Sequence, residues 1–322
     1  MLSTVLGFNT AIIKQNDNFL ALALKIKRSD NTCQIYYLQY TTLTDLLIIL
    51  RNQLHRVAHR LLEHGETYRG QLHEQAELCI KNIPGIDANE VQMPEPERRI
   101  ASLTLKPGKS DSTLIAMLQS EQIEIITIDD TQAEVLLLAI RQAFLHADAE
   151  DFLNLIDSTT DFVMLYAVQV MEDTRFNYEY FEHELWKQNL FSHHLAVLYC
   201  YETENGKKIL SGAVIKTNAV HPSEAENSIT IRINEQCPKL RVVNEKYSLC
   251  EIFSKVIPTV GNMDSLEACL HPLKTFFIEQ QAKLEFKGKA LLRRRRAKSK
   301  RSVRALINLT IHLTIRRYET GK

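Results

Sequence analysis

The stretch TTLTDLLIILRNQLHRVAHRLL, Thr41–Leu62, contains the strongest structural signal in the chain. Apolar side chains recur in it every three or four residues, a spacing that puts them on one face of an α-helix. Thr42 followed three residues later by Asp45 is typical of a helix start, so the helix is predicted to begin at Thr42 and to end near Leu62. A second helix is predicted over Glu66–Ile83, because Pro84 disfavours helical geometry in the residue before it. The buried face of the first helix is predicted to consist of Leu43, Leu47, Leu50, Leu54, Val57 and Leu61.

A similar pattern returns further along the chain. LLIILRNQ, Leu46–Gln53, matches LLLAIRQA, Leu136–Ala143, at an offset of 90 residues. Runs rich in β-branched and aromatic residues precede both helices and predict strands. This order indicates a duplicated β-β-β-α unit, with chance similarity between amphipathic segments as the alternative. The predicted strands are Leu20–Lys27 and Cys33–Tyr40 before the first helix, and Ile100–Lys106, Thr113–Leu118 and Gln122–Ile128 before the second.

The second half of the chain is predicted to be richer in strands. Val197–Lys216 is predicted to be a β-hairpin, because Asn205-Gly206 can adopt the positive φ angles of a tight turn. A further strand is predicted over Ser228–Asn234, where β-branched residues alternate with polar ones. Helices are predicted over Lys246–Val256 and Met263–Ala282.

These segments together predict an α+β fold in which antiparallel sheets pack on helices. The first domain is predicted over residues 1–150, with the duplicated unit inside it. A linker is predicted over 84–99, where three prolines occur without an apolar period. A strand-rich α+β domain is predicted over 151–286, followed by a basic C-terminal extension over 287–322.

The N-terminal stretch GFNTAIIKQNDNFLALALKIK, Gly7–Lys27, resembles the uncharacterised enterobacterial YjeJ-like proteins. The resemblance covers the body of the chain and leaves its basic end unexplained. It implies a bacterial protein, but it supplies no catalytic or binding residue, because that family is itself uncharacterised.

The composition is typical of a soluble globular protein, with 45% hydrophobic and 24% charged residues over a length sufficient for two domains. No stretch approaches the roughly 18 consecutive apolar residues of a membrane span, so no membrane contact is predicted. The six cysteines are scattered rather than closely paired, which favours a reducing cytoplasm over a disulfide framework.

Two groups of histidines and acids are candidate metal or acid-base sites. His55 and His59 lie one helical turn apart, but Arg56 stands where a zinc protease has its glutamate. Glu179 and His183 would share one face of a helix if NYEYFEHELW were helical. A solvated helix flank explains both groups as well, so no metal site is predicted. The second group also includes Glu182, Glu184, His193 and His194.

The remaining residues match none of the common catalytic patterns. Cys237, Cys250 and Cys269 with His271 are spaced too widely for a zinc ribbon, so buried free cysteines are the better interpretation. The sequence has no G-x-S-x-G elbow, Walker loop, G-x-G-x-x-G or H-E-x-x-H motif. No cofactor is predicted, and no catalytic residue is assigned.

The C-terminal segment is strongly basic. Lys283–Lys322 holds fourteen Lys or Arg and two acidic residues, a net charge of +12, so the rest of this neutral chain carries −12. Such asymmetry indicates either contact with a polyanion or folding back on the acidic body. Because the segment lacks interleaved aromatic residues, contacts with phosphates rather than with bases are expected. The candidate nucleic-acid-binding residues are Arg293, Arg294, Arg295, Arg296, Lys298, Lys300, Arg301 and Arg304.

The sequence therefore favours a non-enzymatic cytoplasmic interaction protein whose basic C-terminal segment contacts nucleic acid or another polyanion. A tail without a specific partner is the alternative for that segment. An enzyme of unfamiliar motif, using Glu and His residues of the second domain, is the alternative for the function.

Overall fold

A computed structural model of the chain describes residues 4–170, 176–257 and 271–284. The chain divides into two compact units, Met1–Pro258 and Thr259–Lys322. Within the second unit, residues 271–284 are helical, and the earlier part of the predicted helix Met263–Ala282 lies outside the described residues. The domain boundaries predicted at residues 150 and 286 stay predictions.

The first unit begins with a three-stranded antiparallel sheet of order β1-β2-β3, followed by a long helix. The predicted strand Leu20–Lys27 is confirmed, whereas the strand predicted to reach Tyr40 is shorter because Tyr40 already belongs to the helix. These elements are β1 (Val5–Gln15), β2 (Asn18–Arg28), β3 (Cys33–Leu38) and α1 (Tyr40–Lys81).

The leucine stripe of α1 faces the core, as predicted. Leu43, Leu47 and Leu50 are fully buried, because they lie on the side of the helix that covers the sheets. The predicted helix start was wrong: Gln39 is the N-cap, and the Thr42 hydroxyl donates to the Gln39 carbonyl from inside the first turn. Gly65, with φ 55° and ψ −131°, interrupts the helical geometry between the two predicted helices.

A second three-stranded antiparallel sheet, of order β4-β5-β6, precedes α3. All three predicted strands are confirmed, so the order β-β-β-α occurs twice. Before α3 begins, the Asp129 side chain accepts from the Thr131 backbone N–H and opens a 3₁₀ turn over Asp130–Gln132. The elements are β4 (Ile100–Pro107), β5 (Asp111–Leu118), β6 (Ile123–Asp129) and α3 (Ala133–His146).

The segment between the two repeats packs on the outer face of the first sheet. It contains the short helix α2 (Ala88–Gln92), whose Glu90 forms an ion pair of 2.8 Å with Lys25 on β2. Ile86 and Val91 pack against a small cluster of buried residues on that face. The strand β2 therefore has buried residues on both of its faces. The cluster consists of Ile13, Ala21, Ala23, Ile35 and Tyr37.

A five-stranded antiparallel sheet of order β11-β9-β10-β7-β8 completes the first unit. The predicted hairpin is confirmed, and Gly206 adopts φ 74° in its turn. The strands are β7 (Phe162–Val170), β8 (Phe176–Tyr180), β9 (His193–Glu202), β10 (Lys208–Thr217) and β11 (Ser248–Ile257). The helices are α4 (Glu150–Asp157), α5 (Leu185–Gln188), α6 (Glu224–Gln236) and α7 (Pro238–Lys246).

Two predictions in this region were wrong. Ser228–Asn234, predicted as a strand, lies in α6, where Ile229 and Ile233 are four residues apart and both buried against the sheet. Packing on that face and the N-cap, in which Ser223 Oγ accepts from the Glu226 backbone N–H, outweigh the β propensity of the isoleucines. The helix predicted over Lys246–Val256 is strand β11, which pairs along β9 and supplies the sheet with an edge.

The two β-β-β-α repeats share one hydrophobic core. It combines residues of both three-stranded sheets with buried faces of α1 and α3, and extends to Leu190 and Phe191 before β9. A second core lies between the five-stranded sheet and the helices α6 and α7. The predicted α+β class, with antiparallel sheets packed on helices, is confirmed.

Candidate functional site

A cleft of about 690 Å³ lies on the first unit among α1, α3, α4 and α6. Its lining is largely apolar, because several of its residues also belong to the main core. A cleft of this size, with an apolar lining and a few polar groups, is the usual form of a small-molecule site. It is therefore the candidate functional site. The lining residues shared with the core are Ile48, Ile140, Leu153, Leu190 and Phe191.

A network of ionised side chains lines part of this cleft. Asp161 accepts hydrogen bonds from both Arg51 and Arg232, the latter with an Nη2–Oδ2 distance of 2.7 Å. Arg51 Nη2 also lies 3.4 Å from Asp157 Oδ1, and Arg232 Nη1 donates to the Ser158 carbonyl at 2.8 Å. The network joins α1 and α6 to the end of α4 and to the segment that follows α4. It neutralises the carboxylates of Asp157 and Asp161.

Arg141 on α3 is the third guanidinium of the cleft. It is exposed, and no hydrogen bond or ion pair joins it to another residue of the described ranges. His55, also exposed, lines the cleft from α1. Three guanidinium groups and two carboxylates give the lining an excess of one positive charge, with His55 left out of the count. The cleft is therefore electrostatically suited to an anion.

A second ionic network is buried between α1 and the turn after β6. The Asp130 side chain has no exposed surface and accepts from Arg56 Nε at 2.9 Å, Arg60 Nη1 at 2.9 Å and Gln53 Nε2 at 3.1 Å. Gln53 Nε2 also lies 3.0 Å from the Ile128 carbonyl. Since these contacts satisfy the carboxylate internally, the network is a structural connection between the two β-β-β-α repeats.

The histidine pair predicted on α1 lies on the solvated flank of the helix. Both His55 and His59 are exposed, and His59 Nδ1 lies 3.3 Å from Glu63 Oε1 one turn further on. The nearby Arg56 points its guanidinium at Asp130 instead. The pair contributes one residue, His55, to the cleft, a role that the metal-ligand spacing did not indicate.

The second candidate group is not assembled by the fold. NYEYFEHELW is not a helix: Glu179 is exposed on β8, and His183 lies in the loop that follows. His183 Nε2 lies 2.7 Å from the Met164 carbonyl, and burial lowers the pKa of this imidazole, with Lys187 nearby acting in the same direction. None of Glu179, His183, His193 and His194 lines the cleft described above.

His193 takes part in a different cluster, which the sequence did not reveal. Its Nδ1 lies 3.0 Å from Ser192 Oγ, and its Nε2 is buried without a hydrogen-bond partner in the described part of the chain. His221 Nδ1 lies 2.6 Å from Glu226 Oε2, while Glu226 Oε1 is buried without such a partner. Burial lowers the pKa of His193; the Glu226 carboxylate opposes this effect, and His221 adds to it.

The cysteines singled out from the sequence are likewise not gathered into a metal site within the described residues. Cys237 is buried in the second core, Cys250 is exposed on β11, and Cys269 lies outside the described residues. Burial raises the pKa of the Cys237 thiol, which disfavours the thiolate. Within residues 4–170, 176–257 and 271–284, no group of three or more His, Cys, Asp or Glu side chains is arranged to hold a metal ion.

The basic segment cannot be placed in this geometry, since Arg293–Arg304 lies outside the described residues. The helices within those residues include none long and apolar enough to cross a membrane.

The chain is thus an α+β protein with two β-β-β-α repeats on a common core, a five-stranded antiparallel sheet and a cleft in which guanidinium groups outnumber carboxylates. The chain belongs to the YjeJ-like family, whose model matches residues 1–283, and the resemblance seen at Gly7–Lys27 is thereby confirmed. It is similar to the protein YjeJ of Escherichia coli (strain K12), described as uncharacterised, with 30% identity over 287 residues that cover 88% of this chain and 98% of that protein. No solved structure matches.

Proposed function

We propose that this chain is a non-enzymatic, cytoplasmic interaction protein whose basic C-terminal segment contacts nucleic acid or another polyanion. The observation that carries the proposal is the division of charge, +12 in Lys283–Lys322 against −12 in the remainder. Lys and Arg side chains at this density neutralise phosphates and release condensed counterions, which gives affinity without base recognition. The five described cysteines are all free, which is in keeping with a reducing compartment.

The non-enzymatic part of the proposal is supported by two acids of the body, one buried and one half-buried, that already have ionic partners. Asp130 is paired with Arg56 and Arg60, and Asp45 with Lys187. Burial raises the pKa of Asp45, and the hydrogen bond from Lys187 opposes that rise. Groups committed in this way hold elements together and are not free to exchange protons with a substrate.

The test is nucleic-acid binding by the full chain at several salt concentrations. Fluorescence anisotropy with two duplexes of unrelated sequence should give equal affinities, and log affinity should fall with log salt by about 0.9 for each phosphate engaged. A variant with Arg293, Arg294, Arg295 and Arg296 changed to Gln should bind more weakly with a shallower slope. A chain truncated after Phe286 should lose binding.

The matched control removes four basic side chains from the body by the same substitution, three at the exposed residues Arg69, Lys81 and Arg241 and one at the partly exposed Arg98. This variant should bind as the unmodified chain does. Equal weakening in the two quadruple variants, or full binding by the truncated chain, would contradict the proposal.

An enzyme that uses Glu and His residues of the second half is the second candidate, and the Ser192–His193 contact favours it. In an acyl transfer, Ser192 Oγ would attack the acyl carbon while His193 Nδ1 accepts the hydroxyl proton, and the protonated His193 would then give that proton to the leaving group as its bond to the acyl carbon breaks. Ser192 is exposed, as a nucleophile must be, and the Glu226 carboxylate stabilises the protonated imidazole.

This candidate is tested with a serine-reactive fluorophosphonate probe on the full chain. Labelling that is lost in Ser192→Ala but retained in Ser248→Ala, an exposed serine on β11, would establish the enzyme and overturn the non-enzymatic proposal. The proposal above predicts no labelling beyond that of denatured protein.

A further inference from the structure

The cleft on the first unit combines an apolar lining with an excess cation. Leu137, Leu138 and Leu54 line it at partly or largely exposed positions, and Leu138 keeps 53% of its surface exposed. An exposed leucine is ordinary in isolation, but here it stands beside a concave surface whose deeper residues are also apolar. Occupation by a hydrocarbon group would remove this surface from water.

The charges of the cleft limit what such a ligand can be. Asp157 and Asp161 are held by Arg51 and Arg232, so a cationic ligand would have to displace existing ion pairs. Arg141, by contrast, has no counter-ion among the described residues. Its planar guanidinium offers a pair of parallel N–H donors that match a carboxylate.

The number of free cations distinguishes a carboxylate from a phosphate ester. A doubly charged phosphate head is usually met by several cations or by backbone N–H groups of a glycine-rich loop. The lining supplies one unpaired guanidinium and no glycine. A ligand with one negative charge and an apolar body therefore matches this lining better than a phosphate ester does.

We propose that the cleft binds an aliphatic monocarboxylate, with its carboxylate on Arg141 and its hydrocarbon chain along Leu137 and Leu138. The volume of about 690 Å³ accommodates a medium-length chain, and His55 at the rim supplies a further polar contact. All lining residues of this cleft belong to the first unit and precede residue 233.

Calorimetric titration of the full chain with decanoate tests the proposal, with decanol as a neutral ligand of the same length. Decanoate should bind more tightly than decanol, and the preference should shrink as salt rises. Arg141→Gln should weaken decanoate binding about tenfold while leaving decanol unchanged, because only the carboxylate pairs with the guanidinium. The control Arg241→Gln, at an exposed residue of α7, should bind decanoate as the unmodified chain does.

The apolar contact is tested separately with two matched leucines. Leu138→Ser should weaken both ligands about fivefold, whereas Leu155→Ser, at a residue of α4 with 52% exposure that does not line the cleft, should have no effect. Both positions are exposed enough for the variants to fold. The proposal is overturned by absent decanoate binding, by equal affinity for decanol, or by equal effects within either matched pair.

Discussion

Asp130 links the two β-β-β-α repeats, so its replacement should weaken the whole first unit. The carboxylate accepts four hydrogen bonds, two from Arg56, one from Arg60 and one from Gln53, and its side chain has no exposed surface. Asp130→Asn preserves the volume but removes the charge, and it turns an amide N–H₂ group towards donors. Two guanidinium groups then lose their shared counter-ion.

The expected loss is about 3 kcal/mol in the free energy of unfolding. Removing one partner of a buried ion pair usually costs about 3–5 kcal/mol. The lower end applies because the Arg56 and Arg60 side chains keep 24% and 22% of their surface exposed, and water can therefore hydrate them in the variant. With a urea dependence of about 3 kcal/mol per molar, the midpoint should fall by about 1 M.

Urea unfolding followed by the fluorescence of Trp186 measures this loss. Trp186 is the single tryptophan of the chain and packs against the main core, so its emission reports the unit in which Asp130 lies. Asp17→Asn is the matched control, because the Asp17 side chain is fully exposed and its contact with Lys14 is 3.7 Å long. If Asp130→Asn shifts the midpoint no more than this control does, the network does not hold the repeats together.

Three further predictions follow from burial in the first unit. Leu50→Ala should lower the free energy of unfolding by about 2–5 kcal/mol in the same assay, because Leu50 is fully buried. Leu62→Ala, at a residue with 88% exposure, should lower it by less than about 0.5 kcal/mol, and equal losses would mean that the leucine stripe faces solvent. Because burial depresses the pKa of His183 in the folded chain, the unfolded chain binds more protons below about pH 6.5, and the free energy of unfolding falls as the pH falls. Urea midpoints at pH 7.5 and 5.5 measure this loss, which His183→Gln should reduce and His59→Gln, at an exposed histidine, should leave unchanged. Brief alkylation should modify the exposed thiols and spare the buried ones, as peptide mass spectrometry would measure. Equal labelling of the two groups would contradict the burial seen in the structure. The exposed thiols are Cys33 and Cys250, and the buried ones are Cys79, Cys200, whose pKa burial raises to about 11, and Cys237.

The elements that could be predicted from the sequence are those in which the spacing of apolar residues matches the residues that the core actually buries. In the first half of α1, Leu43, Leu47 and Leu50 recur at the helical period and all belong to the main core, so the pattern alone located the buried face. In α6 an isoleucine stands at every second position from 229 to 233, but only the two isoleucines that lie four residues apart are buried. Ile229 and Ile233 pack against the sheet beneath the helix, and Ile231 between them is 48% exposed. A period of two in so short a segment cannot reveal which neighbours will be covered.

The candidate site was less predictable, because its parts come from distant segments. Arg141 and Arg51 occupy corresponding positions in the two matching stretches Leu46–Gln53 and Leu136–Ala143, but their partners differ. Arg51 meets Asp157 and Asp161, whereas Arg141 meets no acid among the described residues. That difference depends on where α4 and β7 pack, which no local pattern encodes. The cluster of Ser192, His193, His221 and Glu226 likewise joins two segments that are distant in sequence.

The end of the family match and the change in the charge of the chain fall at nearly the same place. The model matches residues 1–283, and ten of the eighteen residues of Lys287–Arg304 are basic. An activity common to YjeJ-like proteins must therefore reside in the body, where the cleft and the Ser192–His193 contact lie. Polyanion contact through the basic segment would be an addition to that activity and not its basis. A chain truncated after Phe286 should accordingly retain decanoate binding in full while losing nucleic-acid binding, and loss of both together would mean that the basic segment is part of the working body.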